Sequence, residues 1–280
     1  GEEMKRLDSH QHFWRYSLAD YPWIGPGMQA LQRDFLPDDL EPLLQEVRID
    51  SCISVQARPD VVETRWLLQL ASNHRSIAGV VGWVDLCGGR AQEQLEVFYS
   101  HQLFCGVRHL VQDEPDDDFM LREDFQRGVS LLSAGGLVYD ILIRPRHLPF
   151  ALRFVDNFPD QLFVLDHLAK PPIATRDRTE WEKGFLALGK RDNVYCKLSG
   201  MVTEAGWSRW KVNDFRPYVD AALRAFGPRR LLFGSDWPVC TLAATYRQVV
   251  ELADRLTSDL SPAERRQIWG ENARRVYGVD

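Results

Sequence analysis

The chain has 280 residues, of which 45% are hydrophobic and 26% are charged. This is the composition of a globular protein, and it excludes disordered, collagen-like and low-complexity chains. The 34 basic and 40 acidic residues give a net charge of −6, and the basic residues form no cluster, so we expect no nucleic-acid partner.

Cysteine usage and hydropathy indicate the cellular environment. The five cysteines are an odd number at irregular spacing and form no CxxC motif, which favours a reducing compartment. No apolar run reaches about 18 residues, so we expect no membrane partner, and the N-terminus has no signal-peptide segment. We therefore expect a cytoplasmic protein, with residues 1–4 as a cloning remnant.

Eight short apolar segments recur along the chain, and we predict a β-strand in each. They are residues 7–13, 51–57, 78–86, 105–111, 137–143, 162–166, 194–199 and 231–235. The strand starts lie about 30 residues apart, which is the length of one β-α unit. Several segments are apolar on both faces, as in parallel strands covered by helices.

Apolar residues at helical spacing predict helices between these strands. The clearest are residues 38–47, 61–70, 215–226 and 246–256, and the capping box at residues 261–264 predicts another helix start. Eight strands that alternate with helices predict an α/β fold, a single (β/α)8 TIM barrel spanning residues 1–280. A doubly wound sheet is the alternative, but no glycine-rich nucleotide motif follows the first strand.

Residues 14–37 form a connection that is too long for an ordinary turn after a strand. If the first strand ends at the mouth of the barrel, this loop lies over the mouth. Its aromatic residues, among them Tyr21 and Trp23, would then either face a substrate or only plug the end of the barrel.

Candidate site residues cluster at predicted strand ends, where TIM barrels build their active sites. His10 and His12 are two apart in the first strand, so they point to one side as half of a metal site or as structural histidines. His167 follows the sixth strand. Asp236 follows the eighth strand, which adjoins the first on closure, and it could instead cap the next helix.

Five motifs, DSHQHFW, YPWI, DHLAKP, CKLSG and FGSDWP, carry a resemblance that extends from Leu7 to Tyr277. The chain resembles the amidohydrolase superfamily, of the amidohydrolase 2 type. It is similar to the branch of sugar-acid lactonases that act on L-fuconolactone and L-rhamnonolactone, with pyrone-dicarboxylate lactonases as more distant relatives. The resemblance implies that His10, His12 and His167 are the imidazoles of the site and that Asp236 is its acid/base.

Two departures from the family pattern bear on the metal. Binuclear members have a lysine at the end of the fourth strand, where this chain has Arg108 and His109. Many mononuclear members have a further histidine where this chain has residues 196–199, CKLS. We therefore expect no required cofactor, although His10, His12, His167 and Asp236 could hold a weakly bound Zn²⁺ or another divalent metal.

The expected chemistry is the hydrolysis of a small-molecule lactone. Asp236 would activate water as a general base, and a pKa raised by burial would strengthen it. His167, with Arg108 or His109, would donate hydrogen bonds to the oxyanion. Further substrate contacts are expected from Trp23, Gln56 and Arg144.

We therefore predict a hydrolase that opens an aldono-1,4- or 1,5-lactone, of the L-fucono or L-rhamnono type, to the aldonate. One alternative is a metal-dependent non-oxidative decarboxylase, and another is a dicarboxylate lactonase of the pyrone or muconate type. A third is a non-catalytic barrel that binds a small acid or sugar. Assembly as a homo-oligomer is left open.

Overall fold

The computed structural model describes residues 4–280, so that residues 1–3 of the predicted remnant lie outside the described part. Eight strands form the centre of the fold. They are β1 (Leu7–Gln11), β2 (Ser51–Val55), β3 (Ile77–Gly82), β4 (Phe104–His109), β5 (Val138–Ile141), β6 (Phe163–Leu165), β7 (Val194–Leu198) and β8 (Leu231–Phe233).

Helices occupy most of the connections between the strands. They are α1 (Pro37–Glu46), α2 (Val61–Asn73), α3 (Ala91–Tyr99), α4 (Glu123–Val129), α5 (Leu148–Asp156), α6 (Glu182–Gly189), α7 (Met201–Glu204), α8 (Val212–Phe226), α9 (Tyr246–Leu256), α10 (Pro262–Arg266) and α11 (Asn272–Tyr277). The predicted capping box is present, because the Ser261 hydroxyl accepts from the Glu264 amide at the start of α10.

The strands follow one another around a sheet in chain order, and each neighbouring pair is parallel. The first and last strands meet through two backbone hydrogen bonds. The His12 amide donates to the Trp237 carbonyl oxygen at 2.7 Å, and the Asp236 amide donates to the His10 carbonyl oxygen at 2.8 Å. The sheet is therefore a nearly closed barrel, which confirms the predicted (β/α)8 fold.

The strand ends differ from the prediction in one direction. Every strand finishes earlier than its apolar segment, as at β3, which ends at Gly82 rather than at residue 86. The apolar run continues because Val84 and Leu86 remain buried after the chain leaves the ladder. Hydrophobicity reports burial, and at the mouth of the barrel the chain stays buried after pairing has ended.

The interior of the barrel changes character along its axis. At the N-terminal end an apolar cluster that includes Leu7 and Ile53 packs against Val276 and Tyr277 of α11. Further along, Asp140 and Lys197 point inward with no solvent exposure. This charged layer underlies the mouth, where the candidate site lies.

The loop of residues 14–37 lies at the mouth, with some of its aromatic residues buried and one of them in the cavity wall. Trp14 is buried and pairs with Phe35 across an antiparallel bridge, and Tyr21 is buried beside it. Trp23 is only partly buried and lines the pocket described below. Among residues 4–280, no helix is both long enough and apolar enough to cross a membrane.

Candidate active site

A cavity of about 360 Å³ opens at the carboxyl ends of the strands. Its polar lining includes His12, Arg108, Asp113, Arg144, His167, Lys170, Thr203, Glu204 and Asp236. Its apolar lining includes Trp23, Met28, Leu110, Leu142, Trp207, Val239 and Leu242. The position and lining are those expected for a small-molecule site in a TIM barrel.

Asp236 lies among the three predicted histidines. Its carboxylate atom Oδ1 is 3.3 Å from His12 Nε2, 3.6 Å from His10 Nε2 and 3.9 Å from His167 Nε2. The backbone of Asp236 is left-handed, with φ at 58°, as the chain turns from β8 into the mouth. The structure thus brings the four residues together, as expected from the adjacency of the first and last strands.

Hydrogen bonds behind the site fix the tautomers of two imidazoles. His12 Nδ1 lies 2.8 Å from the Val55 carbonyl oxygen, so Nδ1 carries a hydrogen. The Lys197 ammonium lies 3.0 Å from His10 Nδ1, which therefore accepts. The remaining hydrogen of neutral His10 is on Nε2, 3.1 Å from His12 Nε2 and facing Asp236.

The protonation states follow from burial and charge. Burial, assisted by Lys197, lowers the pKa of His10 well below its usual value. Burial also lowers the pKa of His167 to about 4, so both imidazoles are neutral near pH 7. For Asp236, burial raises the pKa, but the surrounding groups, His167 foremost, outweigh burial and hold it below its usual value. Asp236 is ionised rather than strengthened as a base by burial.

His167 begins an unusual turn after β6. Four consecutive residues, His167, Leu168, Ala169 and Lys170, have φ between 54° and 60°. The imidazole is held by Ser199, whose Oγ is 2.7 Å from Nδ1. Gly200 packs against the ring, where a Cβ would come within 2.7 Å of Nδ1, and its own φ is 65°.

A buried charge network supports the imidazoles from below. Lys197 Nζ lies 2.8 Å from Asp140 Oδ2 and 3.3 Å from Asp166 Oδ1. Arg108 Nη1 donates to Asp166 Oδ2 at 3.1 Å. Sequence reasoning missed Lys197 and Asp140, although a charged residue in the middle of an apolar strand was a signal that could have found them.

The predicted substrate contacts divide into two groups. Arg108, Arg144 and Trp23 line the cavity, whereas Gln56 and His109 are not among its lining residues. Gln56 instead holds Arg108, because its Oε1 accepts from Nε at 2.8 Å and its carbonyl oxygen accepts from Nη2 at 2.6 Å.

His109 points away from the cavity because successive residues of a strand face opposite sides and Arg108 faces inward. Its Nδ1 accepts from Trp83 Nε1 at 3.2 Å, and its Nε2 lies 2.7 Å from Glu114. The ring also stacks on Phe119. With both nitrogens engaged, His109 has no free donor for an oxyanion.

The lining residues that were not predicted from the sequence include Lys170, Glu204 and Trp207. Lys170 is three positions after His167 in the DHLAKP segment, which was a usable signal. Glu204 and Trp207 belong to α7 and the loop that follows it, and no local pattern distinguishes them from surface residues.

The donor set suits a divalent metal in part. One imidazole nitrogen each from His10 and His167 and a carboxylate oxygen of Asp236 lie within 4.8 Å of one another, and N and O donors of this kind bind zinc. His10 would first have to give up the hydrogen on Nε2, while Lys197 opposes its transfer to Nδ1. A second set of possible metal ligands is His10, Asp140 and Asp166, and these three residues surround the ammonium group of Lys197.

Comparisons with known proteins agree with this geometry. The profile of the amidohydrolase family matches residues 7–279. An L-fucono-1,5-lactonase of Burkholderia multivorans is 47% identical over 285 residues, covering 98% of this chain and 96% of that protein. An L-fucono-1,5-lactonase of Burkholderia ambifaria is 38% identical, with coverage of 98% and 96%.

A solved structure extends the likeness to three dimensions. The crystal structure of an amidohydrolase from Burkholderia multivorans with bound zinc superposes with a TM-score of 0.95 at 45% identity. The alignment covers 99% of this chain and all of that one.

Proposed function

The chain belongs to the amidohydrolase family, and we propose that it is a sugar-lactone hydrolase that opens an aldono-1,5-lactone of the L-fucono or L-rhamnono type to the aldonate. The 47% identity to an L-fucono-1,5-lactonase over nearly the whole chain supports this activity. These relatives do not favour the decarboxylase, dicarboxylate-lactonase or binding-barrel alternatives.

The observation that carries the proposal is the place of Asp236. An ionised carboxylate lies in the cavity beside His12 and His167, and no Lys or Arg side chain of residues 4–280 forms an ion pair with it. A carboxylate that is left free of a cationic partner can accept a proton from water.

The reaction requires one water and no other reactant. Asp236 takes a proton as the water oxygen bonds to the carbonyl carbon, and the π electrons of the carbonyl move to its oxygen. When the carbonyl re-forms, the bond to the ring oxygen breaks, and that oxygen receives the proton from Asp236. The resulting acid ionises and releases one proton to solution.

Arg108 and His167 are the donors for the oxyanion. A guanidinium has five N–H groups, and three of those on Arg108 bond to Gln56 and Asp166. One hydrogen is thus left on each terminal nitrogen for the substrate. Because the guanidinium is held on three sides, it is already oriented when charge develops on the oxygen.

Metal is not required in this proposal. Zinc would be held by His10, His12, His167 and Asp236, and a bound zinc ion would polarise a carbonyl or acidify a water molecule. Asp236 acts as the base in its ionised, uncoordinated form, and every step above uses only groups of the chain.

The test is turnover of a panel of aldonolactones, followed with a pH indicator because each opening releases a proton. We expect an L-fucono- or L-rhamnonolactone to react, and Asp236→Asn to lower kcat about 100-fold or more without unfolding the protein. Asp220→Asn, at an exposed position of α8, is the matched control and retains full activity. A folded Asp236→Asn variant with near-normal kcat would rule the mechanism out.

A further inference from the structure

Lys170 is a charged side chain of the cavity that has no role in the mechanism above. Lys170 lines the pocket, yet among residues 4–280 its ammonium group makes no hydrogen bond and no ion pair within 4 Å. The opposite charges that influence it most are Glu204 and Asp236, both of which line the same cavity. A half-buried ammonium group without a partner in the chain can receive one from the substrate.

The backbone supplies an independent observation. Lys170 ends the turn of four left-handed residues that starts at His167. For residues other than glycine this conformation costs roughly 1–2 kcal/mol each, so a run of four persists only because the surroundings impose it. Leu168 and Ala169, in the middle of the turn, are fully buried, and the Leu168 carbonyl accepts from Trp181 Nε1.

The strained turn delivers two side chains to one place. In a tight helical turn, residues three apart project to the same side. His167 and Lys170 are three apart, and both line the cavity. Lys170 is also close enough to Asp236 for its charge to contribute to the lowered pKa of that carboxyl. Strain of this kind concentrates at functional sites, and here it orients Lys170 together with His167.

We propose that Lys170 is a catalytic residue, whose ammonium group binds the carbonyl oxygen of the lactone and stabilises its negative charge during hydrolysis. The inference rests on the proposed function. As the water oxygen bonds to the carbonyl carbon, the π electron pair moves to an oxygen that faces Lys170, His167 and Arg108. After the ring opens, the ammonium pairs with the new carboxylate.

Glu204 is the acidic neighbour of this ammonium group in the cavity. Its carboxylate has no hydrogen bond or salt bridge with any described side chain, and Lys170 is the strongest opposing charge that acts on it. Arg144 provides a second cation on the same wall. Because Arg144 lies after β5 and outside the strained turn, we assign to it binding of the substrate and not stabilisation of the oxyanion.

The experiment compares Lys170→Met and Lys170→Arg in steady-state kinetics with the preferred aldonolactone. For Lys170→Met we expect kcat to fall about 100- to 1,000-fold while KM changes by less than about 10-fold, since the group acts mainly on the transition state. Lys170→Arg keeps the charge and should retain more activity than Lys170→Met. Lys190→Met, at an exposed lysine after α6, is the matched control with unchanged kinetics.

Chemical rescue adds a readout that a structural role would not give. In Lys170→Ala, added methylammonium should raise kcat in a saturable way, whereas trimethylamine N-oxide, which lacks an N–H donor, should not. If Lys170→Met does not fold, Lys170→Gln replaces it in the kinetic comparison.

Each outcome decides between the proposals. A folded Lys170→Met with unchanged kcat, or with a higher KM alone, would overturn the catalytic role and leave the lactonase proposal intact. Failure of methylammonium to rescue any activity would also count against Lys170. If the wild-type protein opens no aldonolactone, the proposed function is wrong, and this inference is wrong with it.

Discussion

Lys197 lies in β7 without solvent exposure, and its ammonium contacts side chains from β1, β5 and the end of β6. Two cations, Lys197 and Arg108, face two carboxylates, Asp140 and Asp166, so the buried charges balance. Loss of one partner from such a network typically costs about 3–5 kcal/mol, because the other charge stays buried and unpaired.

The same ammonium bears on metal binding. Because Lys197 donates to His10 Nδ1, the other nitrogen of His10 carries its hydrogen and cannot ligate a metal in that tautomer. We predict that dialysis against a chelator such as EDTA leaves most lactonase activity intact. Metal analysis of the dialysed protein, with turnover before and after addition of Zn²⁺, is the measurement.

A spectroscopic readout accompanies this prediction. In ¹⁵N-histidine-labelled protein, long-range ¹H–¹⁵N correlations should show His10 as the neutral Nε2–H tautomer. Complete loss of activity on chelation, restored by one equivalent of Zn²⁺, would contradict the prediction and favour a metal-dependent reaction.

The residues that sequence reasoning found share one property. His10, His12, His167 and Asp236 stand at strand ends, where the fold alone places them together. Lys170 depends on four left-handed residues in succession, a conformation that no local preference of those residues predicts. His109 was predicted to contact the substrate, but it does not line the cavity, because the direction of a side chain depends on the exact register of β4.

At the scale of elements, Glu63 of α2 joins the loop of residues 14–37 to the barrel. It is almost fully buried, and its carboxylate accepts from Tyr21 OH at 2.9 Å and from the Ala57 amide at 2.8 Å. The Ala57 carbonyl oxygen in turn accepts from Trp23 Nε1. Glu63 therefore helps to hold Trp23 at the cavity.

Burial raises the pKa of Glu63 to about 7. The folded protein binds the proton of the Glu63 carboxyl group more tightly than the unfolded chain does. The resulting stabilisation is therefore fully present below the pKa that Glu63 has in the unfolded chain, and it is lost as the pH rises through about 7. Gln at position 63 does not titrate. We therefore predict that the unfolding free energy of Glu63→Gln minus that of wild type increases by about 2–3 kcal/mol from pH 5 to pH 8.

Urea unfolding of both proteins at pH 5, 6, 7 and 8 measures this difference. Glu180→Gln, at an exposed position before α6, is the control and should follow the wild-type curve at every pH. Parallel curves for Glu63→Gln and wild type would show that Glu63 has an ordinary pKa.

The end of α1 offers a test of backbone strain away from the site. Arg48, exposed and two residues beyond the helix, has φ at 58° and occupies the position where helices favour glycine. We predict that Arg48→Gly raises the unfolding free energy by about 0.5–1 kcal/mol, because relief of the left-handed strain exceeds the added freedom of the unfolded chain.

Arg48→Ala is the control for this prediction, since it removes the side chain and keeps the strain. Urea midpoints at one pH are sufficient, and equal midpoints for the glycine and alanine variants would contradict the prediction. The left-handed conformation of Arg48 could not be predicted, because the sequence has no glycine there to mark the end of the helix.

On the scale of the whole molecule, the alternation of strands and helices was sufficient to predict the barrel. Eight apolar segments at the spacing of a β-α unit leave few arrangements, and closure then places the first and last strands side by side. The rest of the cavity lining was not predictable, because it comes from loops and from α7, whose approach depends on packing across the barrel.

The cavity as a whole indicates the charge of the substrate. Among the described lining residues, three cations (Arg108, Arg144 and Lys170) face three carboxylates (Asp113, Glu204 and Asp236). This balance suits a neutral lactone, whereas a dicarboxylate would add two negative charges without a matching excess of cations. The apolar part of the wall includes Met28, Leu110, Leu142, Val239 and Leu242.

We therefore predict that a 6-deoxy aldonolactone has the highest kcat/KM, because its methyl group can occupy the apolar wall while its hydroxyl groups meet the charged side. Loss of one methyl contact in an apolar pocket is worth roughly 10- to 200-fold, so a five-carbon lactone should react more slowly but measurably. A pyrone dicarboxylate lactone should be the poorest of the three substrates. The comparison of kcat/KM under one set of conditions measures the order, and it would place the chain among the dicarboxylate lactonases if that substrate came first.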